Sequence, residues 1–425
     1  MATQPKTLPR RSSGPFAHGG QIGKLAEQKA LAAAQAWFSR ERAWIGEQHF
    51  ELCRIAAPTF FEQQRAEWFR ERLTALGWDA TLDRAGNVRA QFGGAESARR
   101  LVVSAHLDTV LAPTRPDDIY YAADSRLMGP GVSDNGAGLA ALLALARVLG
   151  ESPDLDELRS SLLLVANVGE EGEGNLSGMR YLCQHGLPPG STKAFIVLDG
   201  PSTDHVTAQA LASRRFEISF AGPGGHSWND SGIPNPVHAI SEVVSSFLEA
   251  ADARLTSERK ARCSYNFGII EGGASVNSIP SSARAKLDLR SEDPALLEEI
   301  ASLLTPAVER SLQHSNRTGN GERLNAKIKE LGSRPGGKLP EHSALLRTIE
   351  AVDSYLHIRA RVDCASTDAN VPLSLGLPAI SIGAGGKGGG AHTPQEWYQP
   401  DKREIGLRRI LLVLAALASS EFEGS

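Results

Sequence analysis

Residues 101–108 read LVVSAHLD, an apolar run that ends directly in a histidine and an aspartate. The same arrangement returns twice further along the chain, where SLLLVANVG precedes Glu170 and Glu171, and FIVL precedes Asp199. Short apolar runs that alternate with helix patterns indicate a mostly parallel sheet with helices packed on it. Because ligands of such sheets bind outside the carboxyl ends of the strands, we expect these polar side chains along one edge.

The composition is that of an ordinary globular protein with more than one core. At 425 residues the chain exceeds what one hydrophobic core usually supports. Hydrophobic residues make up 41% and charged residues 22%, and the formal charge of -4 gives no reason to expect a nucleic-acid partner. The longest apolar run near a terminus, 410–418, is too short to span a bilayer, so no membrane association is expected.

The cysteines and the N-terminus favour a cytoplasmic location. No apolar segment follows the basic residues at the N-terminus, so a secretory signal is not expected. The four cysteines are far apart and form no Cys-x-x-Cys pair, which argues against a disulfide framework and against a thiolate zinc site.

The periodicity predicts an α/β domain that is interrupted by a second domain. We expect a flexible N-terminal tail over 1–22 and the first part of the α/β domain over 23–212. Residues 213–332 follow the order strand, helix, strand, strand, helix, strand, which is typical of a ferredoxin-like α+β unit. The α/β pattern resumes over 333–425. The predicted fold is therefore a mostly parallel sheet flanked by helices, with an inserted ferredoxin-like domain.

The polar residues at the strand ends are of the kinds that bind metal ions. Asp134 in the loop GPGVSDNGAG and His392 in GGGAHTP add to them. Each candidate has an ordinary explanation by itself: Asp134 could cap a helix, the acidic residues could lie in solvated turns, and His392 could be an isolated loop residue. Their shared edge makes coincidence a poor explanation, and carboxylate and imidazole ligands fit zinc, with manganese or cobalt as alternatives. The candidates are His106, Asp108, Asp134, Glu170, Glu171, Asp199 and His392.

Seven motifs resemble those of a known family, the co-catalytic zinc peptidases that include tripeptidase T, carnosine dipeptidase, aminoacylase, carboxypeptidase G and succinyl-diaminopimelate desuccinylase. They are SAHLDTV, GPGVSDNGAG, ANVGEEGEG, VLDG, GPGGHS, SVNSIPSSARAKLDLR and GGGAHTP. The resemblance covers nearly everything from about residue 52 to the C-terminus. It implies two divalent metal ions and a hydrolase that cleaves amide bonds in small peptides. The inserted domain would be a lid through which two copies of the chain form a homodimer.

The resemblance also implies which residues hold the metals. Matched by position, one metal would be bound by His106 and Asp199. The other would be bound by Glu171 and His392, and Asp134 would bridge the two.

Further roles follow from the same resemblance. Glu170 would be the general base, and Asp108 would accept a hydrogen bond from the far nitrogen of the neighbouring ligand histidine. In the lid, His226 would reach over the active site of the partner subunit to stabilise the oxyanion, although it could also be an exposed loop residue. Asn277 and Arg290 would bind polar and carboxylate groups of the substrate.

Departures from the commonest family pattern leave the subgroup open. Asn135 and Ala137 stand where many members carry larger or charged residues. Asp199 is an aspartate where the deacylases usually have glutamate, which favours a peptidase over the alternative of an N-acyl amino acid deacylase or related amidohydrolase. A catalytically inactive, metal-stabilised binding protein is a further alternative, and the presence of Glu170 argues against it. Arg290 could also have no role in substrate binding and simply form an ion pair with a surface acid.

Overall fold

The structure is a computed structural model that describes residues 15–93, 99–255 and 261–419. The chain forms two compact units. Unit 1 has the bounds Met1–Ala210 and Lys338–Ser425, and unit 2 has the bounds Leu211–Gly337.

The N-terminal tail expected over 1–22 is helical where the structure describes it. Helix Pro15–Ala26 includes the last residues of that segment, and the remainder lies outside the described residues. Three glycines weaken the helix pattern of this sequence, which is why the periodicity did not predict it. Ile22 is fully buried in the core of unit 1, so tertiary packing outweighs the poor propensity.

Unit 1 is built on a nine-stranded sheet whose centre is parallel. The four central strands, in spatial order, are Leu162–Asn167, Arg100–His106, Thr192–Leu198 and Ala379–Ile382. Almost all of their residues are buried, because helices cover both faces, and this explains their continuous apolar sequences. The outer strands are Asp79–Leu82, Val88–Gln91, His205–Ala210, Gly337–Lys338 and Arg361–Ala365. The predicted α/β class with a mostly parallel sheet is confirmed.

The helices of unit 1 surround this sheet. Within the described ranges, no helix combines the length and the apolar character needed to cross a membrane. Short 3₁₀ turns lie at Pro116–Asp118, Pro153–Leu155 and Gly172–Gly174, and a π turn at Leu182–Gly186. The α-helices are Pro15–Ala26, Lys29–Arg40, Arg42–Cys53, Gln63–Ala75, Gly136–Gly150, Asp156–Ser160, Ser177–Tyr181, Ala344–Leu356, Asn370–Ser374 and Arg403–Ala418.

A small antiparallel sheet in unit 1 joins two distant parts of the chain. Strand Trp397–Gln399 pairs with Leu127–Met128 on one side and with Lys387–Gly389 on the other. Strand Tyr120–Tyr121 completes this sheet. The segment that contains His392 is therefore held beside the segment that leads to the loop of Asp134.

Unit 2 is a four-stranded antiparallel sheet with its own hydrophobic core. The strands, in spatial order, are Cys263–Gly272, Ser282–Ser291, Ala212–Ala221 and Asn325–Arg334. A two-stranded ribbon pairs Gly225–His226 with Ser278–Ile279. The helices are Pro236–Arg254, Pro294–Ala301 and Leu304–Thr318. This element order confirms the ferredoxin-like fold predicted for the insertion, which the sequence analysis placed over 213–332.

One predicted helix of unit 2 is divided into two. The predicted order has a single helix before the last strand, but Pro294–Ala301 and Leu304–Thr318 are separate. Pro306 has no N–H to donate to the carbonyl of Ser302, so the hydrogen-bond ladder cannot run through this point. The Ser302 hydroxyl also donates to a backbone carbonyl in its own turn.

Candidate functional site

Three neighbouring parallel strands end at the same edge of the sheet in unit 1. His106 is the last residue of its strand, Asp199 directly follows a second strand, and Glu170 lies three residues after the end of the third. The strand before Glu170 lies on one side of the His106 strand, and the strand before Asp199 lies on the other side, so the direction of the strand order reverses here. Such a switch point opens a crevice at the carboxyl ends of the strands, which is where open α/β sheets bind ligands.

Asp134 lies between two histidines at this edge. Its Oδ1 is 3.1 Å from Nε2 of His106, and its Oδ2 is 3.2 Å from Nε2 of His392. Oε1 of Glu171 is 3.0 Å from the same nitrogen of His392. Oδ1 of Asp199 is 4.0 Å from Nε2 of His106. The structure thus brings together five of the candidate ligands as two histidine–carboxylate pairs that share Asp134.

The two histidines are strongly coupled to carboxylates. Burial disfavours charge on His106, which is 1% exposed, yet hydrogen bonds with Asp108 and Asp134 raise its pKa well above the usual value. Hydrogen bonds with Asp134 and Glu171 raise the pKa of His392 to about 10. Both ring nitrogens that face the centre of the cluster therefore lie where a positive charge is favoured.

The donor set fits a divalent metal ion. Ligand atoms of His106, Asp134 and Glu171 all lie within 4.8 Å of one another. Burial, together with the charge of Asp134, raises the pKa of Asp199 to about 7, which reflects the cost of crowding carboxylates in a buried place. A bound cation would offset that repulsion. Nitrogen and oxygen donors without thiolate suit zinc, manganese or cobalt.

Asp108 faces His106 and also holds a neighbouring loop. The Nδ1 of His106 donates to the backbone carbonyl of Asp108 at 3.0 Å, while the carboxylate is 3.5 Å from that nitrogen. The carboxylate accepts hydrogen bonds from the backbone N–H groups of Glu170 and Glu171, at 3.0 and 2.9 Å, and from the hydroxyl of Thr59 at 3.0 Å. Asp108 therefore fixes the loop of the two glutamates as well as facing the histidine.

Glu396 was not among the candidates, yet it holds the Asp134 loop in place. This carboxylate is 2% exposed and accepts backbone hydrogen bonds from Gly131 at 2.8 Å, Ser133 at 2.7 Å and Asp134 at 2.8 Å. The Ser133 hydroxyl donates to it as well, at 2.7 Å. Because Glu396 follows His392 by four residues, one short segment provides the candidate ligand His392 and also the residue that anchors the candidate ligand Asp134.

Asn135 connects the same loop to the Asp199 strand. Its Oδ1 accepts from the backbone N–H of Gly138 at 3.1 Å and of Gly200 at 3.2 Å. Its Nδ2 donates to the carbonyl of Leu198 at 2.8 Å. The helix cap in this loop is therefore Asn135 and not the aspartate before it.

Two candidates of unit 2 lie side by side. The backbone N–H of Ser227 donates to the carbonyl of Asn277 at 3.0 Å, which places Asn277 beside His226. Nδ1 of His226 accepts from the backbone N–H groups of Trp228 and Asn229, each at 3.3 Å. Since Nδ1 acts as an acceptor, the proton of the neutral ring lies on Nε2, and that nitrogen is a hydrogen-bond donor.

Arg290 is engaged in an ion pair within unit 2. Its Nε donates to Asp288 at 2.8 Å, and Asp288 also accepts from Nε of Arg215 at 3.0 Å. The side chain of Arg290 remains 42% exposed.

The family of the chain follows from a match to most of its length. Residues 102–416 match the family model described as Peptidase family M20/M25/M40. The chain belongs to this peptidase family, so the resemblance found in its motifs is confirmed.

Curated relatives are distant and carry different names. A probable carboxypeptidase of Aspergillus flavus is 28% identical over 206 residues, which is 45% of this chain and 47% of the relative. The chain spans about half the length of the first curated relatives that it matches. An acetylornithine deacetylase of Shigella sonnei is 24% identical over 356 residues, with 79% of this chain and 84% of the relative covered.

Solved structures share the fold. A tripeptidase from Staphylococcus aureus superposes with a TM-score of 0.70 at 18% identity, over 88% of this chain and 98% of that one. A Bacillus subtilis protein described as a dinuclear metal binding peptidase from family M20 superposes with a TM-score of 0.61 at 14% identity, over 89% and 98%.

Proposed function

We propose that this chain hydrolyses amide bonds in small peptides with two divalent metal ions bound at the carboxyl edge of the sheet in unit 1. The observation that carries the proposal is the position of Asp134, whose two carboxylate oxygens each face a different histidine. A single carboxylate between two imidazoles is the arrangement that a bridging ligand of two metals requires. Zinc is the metal we propose, with manganese or cobalt as alternatives.

Each metal would have its own pair of ligands in addition to the bridge. We assign His106 and Asp199 to one metal, since their side chains approach to 4.0 Å. Glu171 and His392, which are 3.0 Å apart, are assigned to the other. Asp134 would complete both sets.

The metals would lower the pKa of a bound water and polarise the scissile carbonyl. Glu170 accepts the proton of the attacking water and later donates it to the leaving nitrogen. This glutamate is 4% exposed, and its backbone is held by Asp108 at 3.0 Å, so its position is defined before substrate arrives. Because this carboxylate is buried, little solvent surrounds it and little solvent has to reorganise during the reaction.

The family resemblance also assigns roles to residues of unit 2. Nε2 of His226, the protonated nitrogen of the neutral ring, donates to the oxyanion that develops on the carbonyl oxygen. We assign this histidine to the active site of the partner subunit. Asn277 and Arg290 bind polar and carboxylate groups of the substrate. Arg290 would have to exchange its contact with Asp288 for a substrate carboxylate.

A homodimer through unit 2 is part of the proposal. Strand Cys263–Gly272 is at the edge of the sheet, where backbone groups can pair with another strand. Ile269 and Ile270 on this strand are 38% and 55% exposed, which is unusual for isoleucine and favours a covered surface.

The spacing of the four cysteines supports a cytoplasmic location.

A deacylase is the second candidate, because the acetylornithine deacetylase relative is matched over more of its length than the carboxypeptidases are. The aspartate at position 199 favours a peptidase. An inactive, metal-stabilised binding protein is the remaining alternative, and the position of Glu170 beside the ligands argues against it.

The decisive experiment measures hydrolysis by metal-stripped protein to which zinc, manganese or cobalt is added back. The substrates are dipeptides, tripeptides and N-acetyl amino acids. Metal-dependent cleavage of peptides with a free amino group supports the peptidase. Cleavage of only the acetylated amino acids selects the deacylase, and full metal binding without any cleavage selects the binding protein.

A further inference from the structure

A tight turn beside the candidate metal centre presents two aromatic side chains to solvent. The backbone N–H of Phe61 donates to the carbonyl of Pro58 at 2.8 Å, which closes a four-residue turn. Phe60 occupies the third position of this turn with φ of 76°, a conformation that normally requires glycine. Phe60 and Phe61 are nonetheless 62% and 73% exposed. A bulky residue in this conformation is costly, and such outliers cluster at functional sites.

The turn is fixed to both loops that carry catalytic candidates. On its first side, the hydroxyl of Thr59 donates to the carboxylate of Asp108 at 3.0 Å. On its other side, the carboxylate of Glu62 accepts from the backbone N–H of Gly169 at 3.0 Å, directly before Glu170. Glu62 is only 6% exposed. The two aromatic residues between these anchors are therefore held at the rim of the candidate site.

A second exposed apolar pair runs alongside the turn. Pro58 and Thr109 form a parallel bridge, and the backbone N–H of Thr109 donates to the carbonyl of Ala57 at 3.0 Å. Val110 and Leu111 follow directly and are 43% and 38% exposed. We call these four side chains the apolar rim: Phe60, Phe61, Val110 and Leu111.

We propose that the apolar rim binds a bulky apolar or aromatic side chain of the substrate, next to the bond that is cleaved. The inference rests on the proposed function and specifies its substrate class. Four large apolar side chains in water are unfavourable unless something covers them. The anchors at Asp108 and Gly169 place the rim beside the reacting groups, so the substrate itself is the occupant that the position favours.

The test compares substrate preference and stability in Phe60→Gly. Glycine suits a φ of 76°, so this variant folds at least as well as the wild type, and its melting temperature is expected to be equal or higher. The ratio of kcat/KM for a phenylalanine-containing dipeptide over its glycine-containing counterpart should fall about tenfold. A residue that served the fold alone would not lose selectivity while it kept or gained stability.

Two further variants complete the experiment. Phe61→Ala should lower the same ratio. Leu375→Ala is the matched control, because Leu375 is 55% exposed but precedes strand Ala379–Ile382, at the amino ends of the parallel strands. Its ratio should match that of the wild type.

The outcomes separate this inference from the proposed function. Failure of the wild type to hydrolyse any peptide, with metals bound, removes the proposed function and this inference with it. Peptide hydrolysis with an unchanged ratio in Phe60→Gly and Phe61→Ala overturns the substrate-binding role alone. If those variants change the sedimentation coefficient instead of the ratio, the apolar rim is a subunit interface and the inference is wrong.

Discussion

The candidate residues of unit 1 and those of unit 2 are held in opposite ways. In unit 1 most of them lie at the ends of buried strands, and His106 and Glu171 are only 1% and 7% exposed, although the side chain of His392 is 51% exposed. In unit 2, His226 is exposed at the end of a short two-stranded ribbon, and Arg290 is 42% exposed and bound to a neighbouring acid. Buried groups with several directed hydrogen bonds are fixed in advance, whereas exposed side chains at the surface can adjust to a ligand. The candidate metal centre of unit 1 is therefore rigid, and the candidate residues of unit 2 form an adaptable part.

The backbone shows the same contrast. Among the described residues, every non-glycine residue with positive φ belongs to unit 1, while the positive-φ positions of unit 2 are glycines. Several of these non-glycine residues of unit 1 adjoin the candidate site, including Phe60, Asn175, Leu176 and His392. Strained conformations persist where the surrounding structure determines them strongly. Unit 1 therefore tolerates unfavourable backbone near the residues whose positions matter most.

The largest effect should come from Glu170→Gln. Loss of the general base is expected to lower kcat by about 10⁴, the upper end for general-base catalysis, while both metals stay bound. Metal content can be measured by elemental analysis of the purified variant. Glu171→Ala is the matched control, since it should lose a metal. Full activity in Glu170→Gln would show that another group is the base.

His226→Ala tests whether the adaptable part acts at all, and in which subunit. Loss of one oxyanion donor should lower kcat by about 10²- to 10³-fold without a change in metal content. Mixing this variant with Glu170→Gln gives a sharper result. If His226 serves the partner's site, each mixed dimer has one site with both residues intact, and activity returns. No recovery, in dimers shown to be mixed, would place the histidine in its own subunit's site.

Glu396→Gln tests the rigidity of the metal centre. The amide group of glutamine would place N–H donors against the backbone donors of Gly131 and Asp134, so the bridging aspartate should lose its position. We expect metal affinity to fall by about 10- to 100-fold, measured by titration and by the absorption spectrum of the cobalt form. Glu404→Gln, which removes the same charge at a residue paired with Arg42, is the control. Unchanged affinity in Glu396→Gln would refute the anchoring role.

The sequence predicted the centre of the site well because strand ends are readable. Apolar runs identified the central strands, and the rule that their carboxyl ends share an edge predicted that His106, Glu171 and Asp199 lie together. Asp134 and His392 lie in glycine-rich loops; their residue types made them candidates, and the motif resemblance assigned their ligand roles. The structure then placed these five in one cluster.

What the sequence did not predict are residues that act on backbone groups. Glu396 and Asn135 hold main-chain amides, and no spacing rule distinguishes a buried acid or amide with that role from a surface residue. The strands His205–Ala210 and Arg361–Ala365 were also not predicted, because polar residues interrupt both of them and neither forms a clear apolar run. The role proposed for His226 involves a second copy of the chain, which spacing along one chain does not encode.

The smallest expected effect contrasts two histidine–carboxylate pairs, one in each unit. In unit 1, the hydrogen bond with Asp363 raises the pKa of His205 above 6.5, against the opposing effect of burial. Burial disfavours the charge of Asp363, but the hydrogen bond with His205 lowers its pKa below 3.8. In unit 2, His314 and Glu242 form a more exposed pair, with side chains 57% and 41% exposed.

These directions define the pH at which the unit 1 pair stabilises the fold. The raised pKa of His205 gives stability that is complete below about pH 6.5 and is lost as the pH rises through the folded pKa. The lowered pKa of Asp363 gives stability that is present above about pH 4 and is lost in acid. His205→Asn should therefore lower the melting temperature at pH 5.5, and by less at pH 9, where the contribution of the raised histidine pKa is lost. The expected loss at pH 5.5 is only about 1 to 3 °C, because partial exposure screens the pair. His314→Asn should change it by less at either pH, and equal losses for His205→Asn at both pH values would mean that packing, not the ion pair, is what the histidine contributes.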